Sequence, residues 1–142
     1  MDNNIDILDE LHKGACMGVD ALDFIFPKIK EDNFKKLLEK QKCEYENLAG
    51  RINELYRDYT TKDIHKTNAM EKLMTWYGIQ KDTMMNTSVS NLADLLIRGT
   101  NMGIIEGKKI LNHKTMDKKV HKICTEYITM QEKYLDRLKN FL

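Results

Sequence analysis

A chain of 142 residues is long enough to bury one continuous core, so residues 1–142 are expected to form a single domain. Hydrophobic residues at 42% and charged residues at 32% exclude a disordered chain. The net charge of +1 excludes the bulk basic field that draws proteins to nucleic acid or anionic membranes.

The signs are also mixed locally, with Lys35, Lys36, Lys40 and Lys42 among Glu31, Glu39, Glu44 and Glu46. The opening MDNNIDILDE is acidic where a secretory signal would be basic, and no apolar stretch follows it. The most apolar segment, 89–111, carries Asp94, Arg98 and Glu106, which argues against a transmembrane span. Three cysteines without CxxC spacing suit reduced thiols, so the expected location is cytoplasmic.

Five segments repeat at helical spacing. The first runs Ile5, Leu8, His12, Ala15, Val19, Leu22 and Phe26, with cap candidates Asp2, Asn3 and Asn4 and an exit at Pro27. The second starts near Asp32 and runs Phe34, Leu38, Gln41, Tyr45, Leu48, Ile52, Leu55 and Tyr59. A shorter third spans about 68–85, anchored by Met70, Leu73, Trp76, Tyr77 and Met84. The fourth follows the turn Asn86, Thr87 and Ser88 and runs to about Asn112. Its apolar positions are Val89, Leu92, Leu95, Leu96, Met102, Ile105 and Ile110. The fifth, with Thr115 as its cap candidate, runs Met116, Val120, Ile123, Tyr127, Met130, Tyr134, Leu138 and Phe141.

Short connections make antiparallel hairpins of the first and second segments and of the fourth and fifth. The third lies between them and is long enough to travel back along the bundle. The expected fold is therefore all-α, a four-helix bundle of two hairpins with an additional crossover helix; a plain up-down array is the alternative.

This hairpin–crossover–hairpin layout resembles the ferritin-like superfamily. The stretches MGVDALDFIFPKI and MTWYGIQKDTMMNTSVSNLADLLIRGTNMGIIEGKKIL also resemble an uncharacterised group of ferritin-like proteins from Gram-positive, spore-forming bacteria. The shared features are glycines and apolar positions, so the resemblance implies a fold and no activity.

Di-iron and di-manganese bundles take a Glu from each of two helices and a Glu-x-x-His from each of the other two. Here Glu44 is followed three residues later by Asn47, and Glu126 by Thr129, so the ligand set is incomplete. Asp9-x-x-His12 has the spacing without a twin. Cys16, Cys43 and Cys124 at similar heights could join His12 on zinc, although free cysteines more often pack as small hydrophobes. No Gly-x-Ser-x-Gly, phosphate loop or dinucleotide fingerprint appears. Trp76, Tyr77 and Met70, Met74, Met84 and Met85 suit either a soft surface for a partner helix or membrane, or plain packing.

Five glycines fall inside helices at four-residue spacing: Gly14 and Gly18, then Gly99, Gly103 and Gly107. Each costs roughly 1 kcal/mol against alanine, so a compensating contact is expected. Register comparison sets Gly14 opposite Gly103 and Gly18 opposite Gly99, predicting a close crossing of the first and fourth segments. A homodimer seam is the rival use. The same register brings Glu106 beside His12, with Cys124 at that height.

The expected function is a non-enzymatic ferritin-like structural or interaction module, with or without a homodimer. The alternative is a degenerate metal- or small-ligand-binding bundle with its site around His12 and Glu106. No cofactor is predicted, and iron, manganese and zinc are the metals to test.

Overall fold

The computed structural model describes residues 3–64, Met74, Tyr77 and 86–142. The described residues form an all-helical bundle without strands. Its four long helices are α1 (Asn4–Ile25), α2 (Asp32–Tyr56), α3 (Val89–His113) and α4 (Lys118–Leu138). Single 3-10 turns follow α1 at Phe26–Lys28, with Pro27 inside, and α4 at Lys139–Phe141. Of the expected third helix only Met74 and Tyr77 are described, both helical; Met70, Leu73, Trp76, Met84 and Met85 lie outside the described residues.

The helix starts follow local chemistry. Glu31 caps α2 through both carboxylate oxygens, accepting from Asn33 N at 2.9 Å and Phe34 N at 3.0 Å. Ser88 caps α3 by accepting from Asn91 N at 3.2 Å. At α4 the cap position belongs to Asp117 and not to Thr115. The Asp117 amide instead donates to the buried Asn4 side chain at 2.9 Å, and Thr115 O accepts from Asn3 N at 3.4 Å. These two bonds place the starts of α1 and α4 together.

α1 packs along α2, and α3 along α4, as two antiparallel hairpins. Tyr59, just beyond α2, donates to Asp117 at 2.8 Å, so α2 ends where α1 and α4 begin. At the opposite end Phe34 packs against Phe141, ring centroids 5.0 Å apart. α3 contacts that same terminal 3-10 turn. The chain between α2 and α3 thus connects opposite ends of the bundle.

Two of the expected seams are rotated. On α1 the buried positions are Ile7, Leu8, Leu11, Gly14, Ala15, Met17, Gly18, Ala21, Leu22 and Ile25, whereas Ile5 is 39% exposed and His12 and Val19 are only half-buried. On α3 the face runs through Leu92, Leu96, Gly99, Thr100, Gly103, Gly107 and Ile110, leaving Ile105 37% exposed. Both faces are centred on glycines, which a count of large apolar residues passes over. The α2 and α4 seams fall close to expectation, because tyrosines and leucines mark them directly.

Candidate functional site

Halfway along the bundle the core turns polar without becoming charged. Gln41 and Tyr45 stand one turn apart on α2, Tyr127 and Gln131 one turn apart on α4, and all four are buried. The Tyr45 hydroxyl donates to Gln131 Oε1 at 2.9 Å. Gln131 Nε2 donates to Tyr127 O at 3.3 Å, and Gln41 Nε2 to Thr100 Oγ1 on α3 at 3.4 Å. The hydroxyl of buried Tyr77 lies near that of Tyr45. Burial pushes Tyr45 up to about 12, against the opposing hydrogen bonds from Gln41, Tyr77 and Thr100. Burial also holds Tyr77 and Tyr127 well above the ordinary phenol range. Every phenol here is neutral at physiological pH. Among the described residues the buried polar side chains besides tyrosine are Asn4, Gln41, Thr100 and Gln131, none of them ionisable.

The glycines make room for this network. The expected meeting of the two glycine ridges, Gly14 on Gly103 and Gly18 on Gly99, is not what forms. A Cβ on Gly14 would run into the Tyr127 hydroxyl, on Gly99 into the Tyr77 ring, and on Gly103 into Gln131 Oε1. One on Gly18 would lie 2.6 Å from Tyr45 Cε2, and one on Gly107 2.7 Å from Ile128 Cγ1. In each case the nearest atoms are side chains. The glycines are seats for large groups arriving from other elements and do not mark a close approach of two backbones. The offset to their helix-propensity cost is the burial of those rings.

The three residues expected at a ligand site do not converge. His12 is half-buried on α1, with both ring nitrogens 3.8 Å from Cys16 Sγ on the same helix. Glu106 forms no hydrogen bond or ion pair with His12; it lines an open groove of about 590 Å³ between α1 and α3, with Asp6, Asp9, Glu10 and His113. Cys124 is buried and its thiol donates to Gly107 O at 3.8 Å. Desolvation raises Cys124 to about 11; it also raises Cys16, where the Asp20 charge adds to it. Both are therefore thiols at neutral pH. Cys43 is exposed and all three cysteines are free. Among the described residues no three His, Cys, Asp or Glu side chains group as metal ligands.

The positions compared with Glu-x-x-His lie on the outer face. Glu44, Asn47, Glu126 and Thr129 line an open groove of about 350 Å³ between α2 and α4, floored by Leu48 and Met130. Glu44 accepts from Lys133 at 2.8 Å and from Tyr134, and Glu126 pairs with Arg51. Positions facing the core are instead held by Gln41, Tyr45, Tyr127 and Gln131.

A signal in the sequence could have found the central residues. Residues 11–19, LHKGACMGV, match 96–104, LIRGTNMGI, with Leu, Gly, Met and Gly identical and Lys/Arg and Val/Ile alike. In the second helix of each hairpin, Glu44–Tyr45–x–x–Leu48–x–x–Arg51 matches Glu126–Tyr127–x–x–Met130–x–x–Lys133. The two hairpins share these Gly and Tyr positions, and the shared positions build the centre. The crossed ion pairs Glu44–Lys133 and Arg51–Glu126 are counterparts of each other under this match. No protein-family model, curated protein or solved structure matches this chain.

Proposed function

We propose that this chain is a ferritin-like bundle acting as a non-enzymatic structural or interaction module, alone or as a homodimer, in a reducing cytoplasm. The observation that carries this reading is the neutral Tyr45–Gln131 and Gln41–Thr100 network at the level where a ferritin-like oxidase would gather carboxylates and imidazoles. Amides and phenols are poor ligands for iron or manganese beside carboxylate and imidazole. The ends joined by the chain between α2 and α3 also suit ferritin-like connectivity, and three free thiols suit a reducing compartment.

Metal analysis of the untagged protein tests it. Iron, manganese and zinc are expected well below one equivalent per chain; a stoichiometric metal overturns it. The rival reading, a degenerate metal or small-ligand site around His12 and Glu106, has one observation in its favour. Glu106 shares its groove with three other carboxylates. A stoichiometric metal lost in Glu106→Gln would select that rival, and light scattering would decide the homodimer.

A further inference from the structure

The charge balance of the whole chain hides a local excess. Residues 108–122 run from the last turns of α3 through the connection into α4. They carry six lysines against one acid, Asp117, a net of +5 on a chain whose total is +1. The lysines are Lys108, Lys109, Lys114, Lys118, Lys119 and Lys122, and all are exposed. Among the described residues the ion pairs engage Lys13, Lys42, Arg51, Arg98, Lys133 and Lys139, and none engages these six. Asp117 gives its carboxylate to Tyr59 at 2.8 Å and makes no side-chain cap on α4. Lys118 and Lys119 therefore stand in the first turn against the positive end of that helix. Such placement costs helix stability, and no acidic residue in the turn offsets it.

We propose that the outer face of the α3–α4 hairpin, at its connection end, docks on a membrane surface bearing anionic lipid headgroups. This rests on the interaction-module reading above and gives it a partner; metal content tests that reading, and lipid binding tests this one. Acids flank the face without crossing it. Lys109 and Lys114 share the α1–α3 groove with Asp6, Asp9 and Glu106, and Lys119 and Lys122 share a groove between α2 and α4 with Glu54 and Asp58. Of the exposed residues from 101 to 125 that line neither groove, Asp117 alone is acidic; Lys108, Lys118, His121 and Ile105 are among the rest. The residue types decide the occupant. A lysine ammonium attracts headgroup phosphate and carboxylate as a point charge, with no fixed geometry required. Nucleic-acid recognition favours arginine forks on base edges or aromatic rings under bases, and residues 101–125 contain no Arg, Phe, Tyr or Trp. Ile105, with the half-buried Leu111 and Met116, adds a shallow apolar contact. Clustered lysines strengthen binding to anionic lipid by roughly fivefold each.

The test is co-sedimentation of the full chain with two kinds of vesicle, phosphatidylcholine alone and phosphatidylcholine mixed with phosphatidylserine. Binding should appear only with phosphatidylserine and should fall steeply with added salt, because screening shortens the reach of exposed charge. Lys108→Gln, Lys118→Gln and Lys122→Gln together should weaken it by about tenfold or more. Lys35→Gln, Lys36→Gln and Lys40→Gln remove the same charge from exposed sites on α2 and should change it little. All six positions are exposed, so neither triple variant disturbs the core. The proposal is overturned if the chain does not bind phosphatidylserine vesicles, if neutral vesicles bind as well, or if the two triple variants weaken binding equally. Tighter binding to a mixed-sequence DNA duplex than to the vesicles also overturns it.

Discussion

The Tyr45 hydroxyl donates to Gln131 Oε1 at 2.9 Å, joining the second helix of one hairpin to the second helix of the other in the middle of the core. Tyr45→Phe removes the donor and leaves a buried amide oxygen without its partner. Stability should fall by about 1–3 kcal/mol. Gln131→Met in the Tyr45→Phe background should recover part of that loss, because both ends of the bond are then apolar. A double-mutant cycle in urea measures the coupling; simple additivity would show that the bond contributes nothing of its own.

Glycine substitutions should split by sign. Gly50 is exposed on α2, with nothing within 4 Å of an added Cβ, so Gly50→Ala should stabilise by about 0.5–1 kcal/mol through helix propensity alone. Gly18→Ala gains the same propensity, but its methyl would stand 2.6 Å from the Tyr45 ring. Overpacking of about 1–3 kcal/mol should outweigh the gain. Thermal melts of the two variants against wild type check the opposite signs.

At alkaline pH the buried phenols become a liability. Desolvation raises Tyr45 to about 12, and Tyr77 and Tyr127 also lie above the ordinary value of 10. Their contribution is fully present below the unfolded-state pKa and is lost as pH rises through the folded-state values. Each therefore costs about 1.4 kcal/mol of stability per pH unit above 10 while it stays protonated in the fold. Unfolding by circular dichroism and tyrosinate absorbance should rise together, as one cooperative transition. Tyrosinate appearing in a still-helical protein would contradict this.

The acid side should report Glu44. Partial burial raises its pKa, but hydrogen bonds from Lys133 and Tyr134 and nearby positive charge outweigh this, leaving it below the usual carboxylate value of 4.5. Its stabilising contribution is present above the unfolded-state pKa and is lost as pH falls through the folded one. Glu44→Gln should flatten the decline in stability below about pH 5 and lower stability at pH 7 by the same small amount, small because the pair is solvent-screened, with the two curves meeting at low pH. Urea midpoints from pH 3 to pH 7 would show it.

The fold and its centre were legible to different degrees. The helices could be read because Phe34, Leu38, Tyr45 and Ile52 on α2, and Val120, Tyr127, Tyr134 and Leu138 on α4, announce their faces by size. Faces organised around Gly14, Gly18, Gly99 and Gly103 announce nothing, so the large apolar residues of α1 and α3 point a fraction of a turn away from the buried faces. Spacing singled out the glycines correctly but not their guests, since a gap opposite a gap and a gap opposite a ring look alike in one dimension. Glu106 shares a groove with Asp9 and Glu10 on α1, close to the height the register gives, whereas the rings seated on the glycines are invisible to spacing alone. The buried Gln131 lies next to Met130 on the seam, where a polar side chain gives no sign of a core position.

The two hairpins are not interchangeable at their shared seats: the second carries Gly107, which Tyr127 passes at 3.4 Å, where the first carries the buried Leu22. A pair of first hairpins would lack Tyr127, the ring whose hydroxyl fills the Gly14 seat. First with second fills that seat with Tyr127. One difference between two similarly patterned halves thus gives them complementary, non-interchangeable roles, as a key differs from a lock cut from the same blank. If chains associate by trading halves, each exchanged unit would therefore keep one hairpin of each kind.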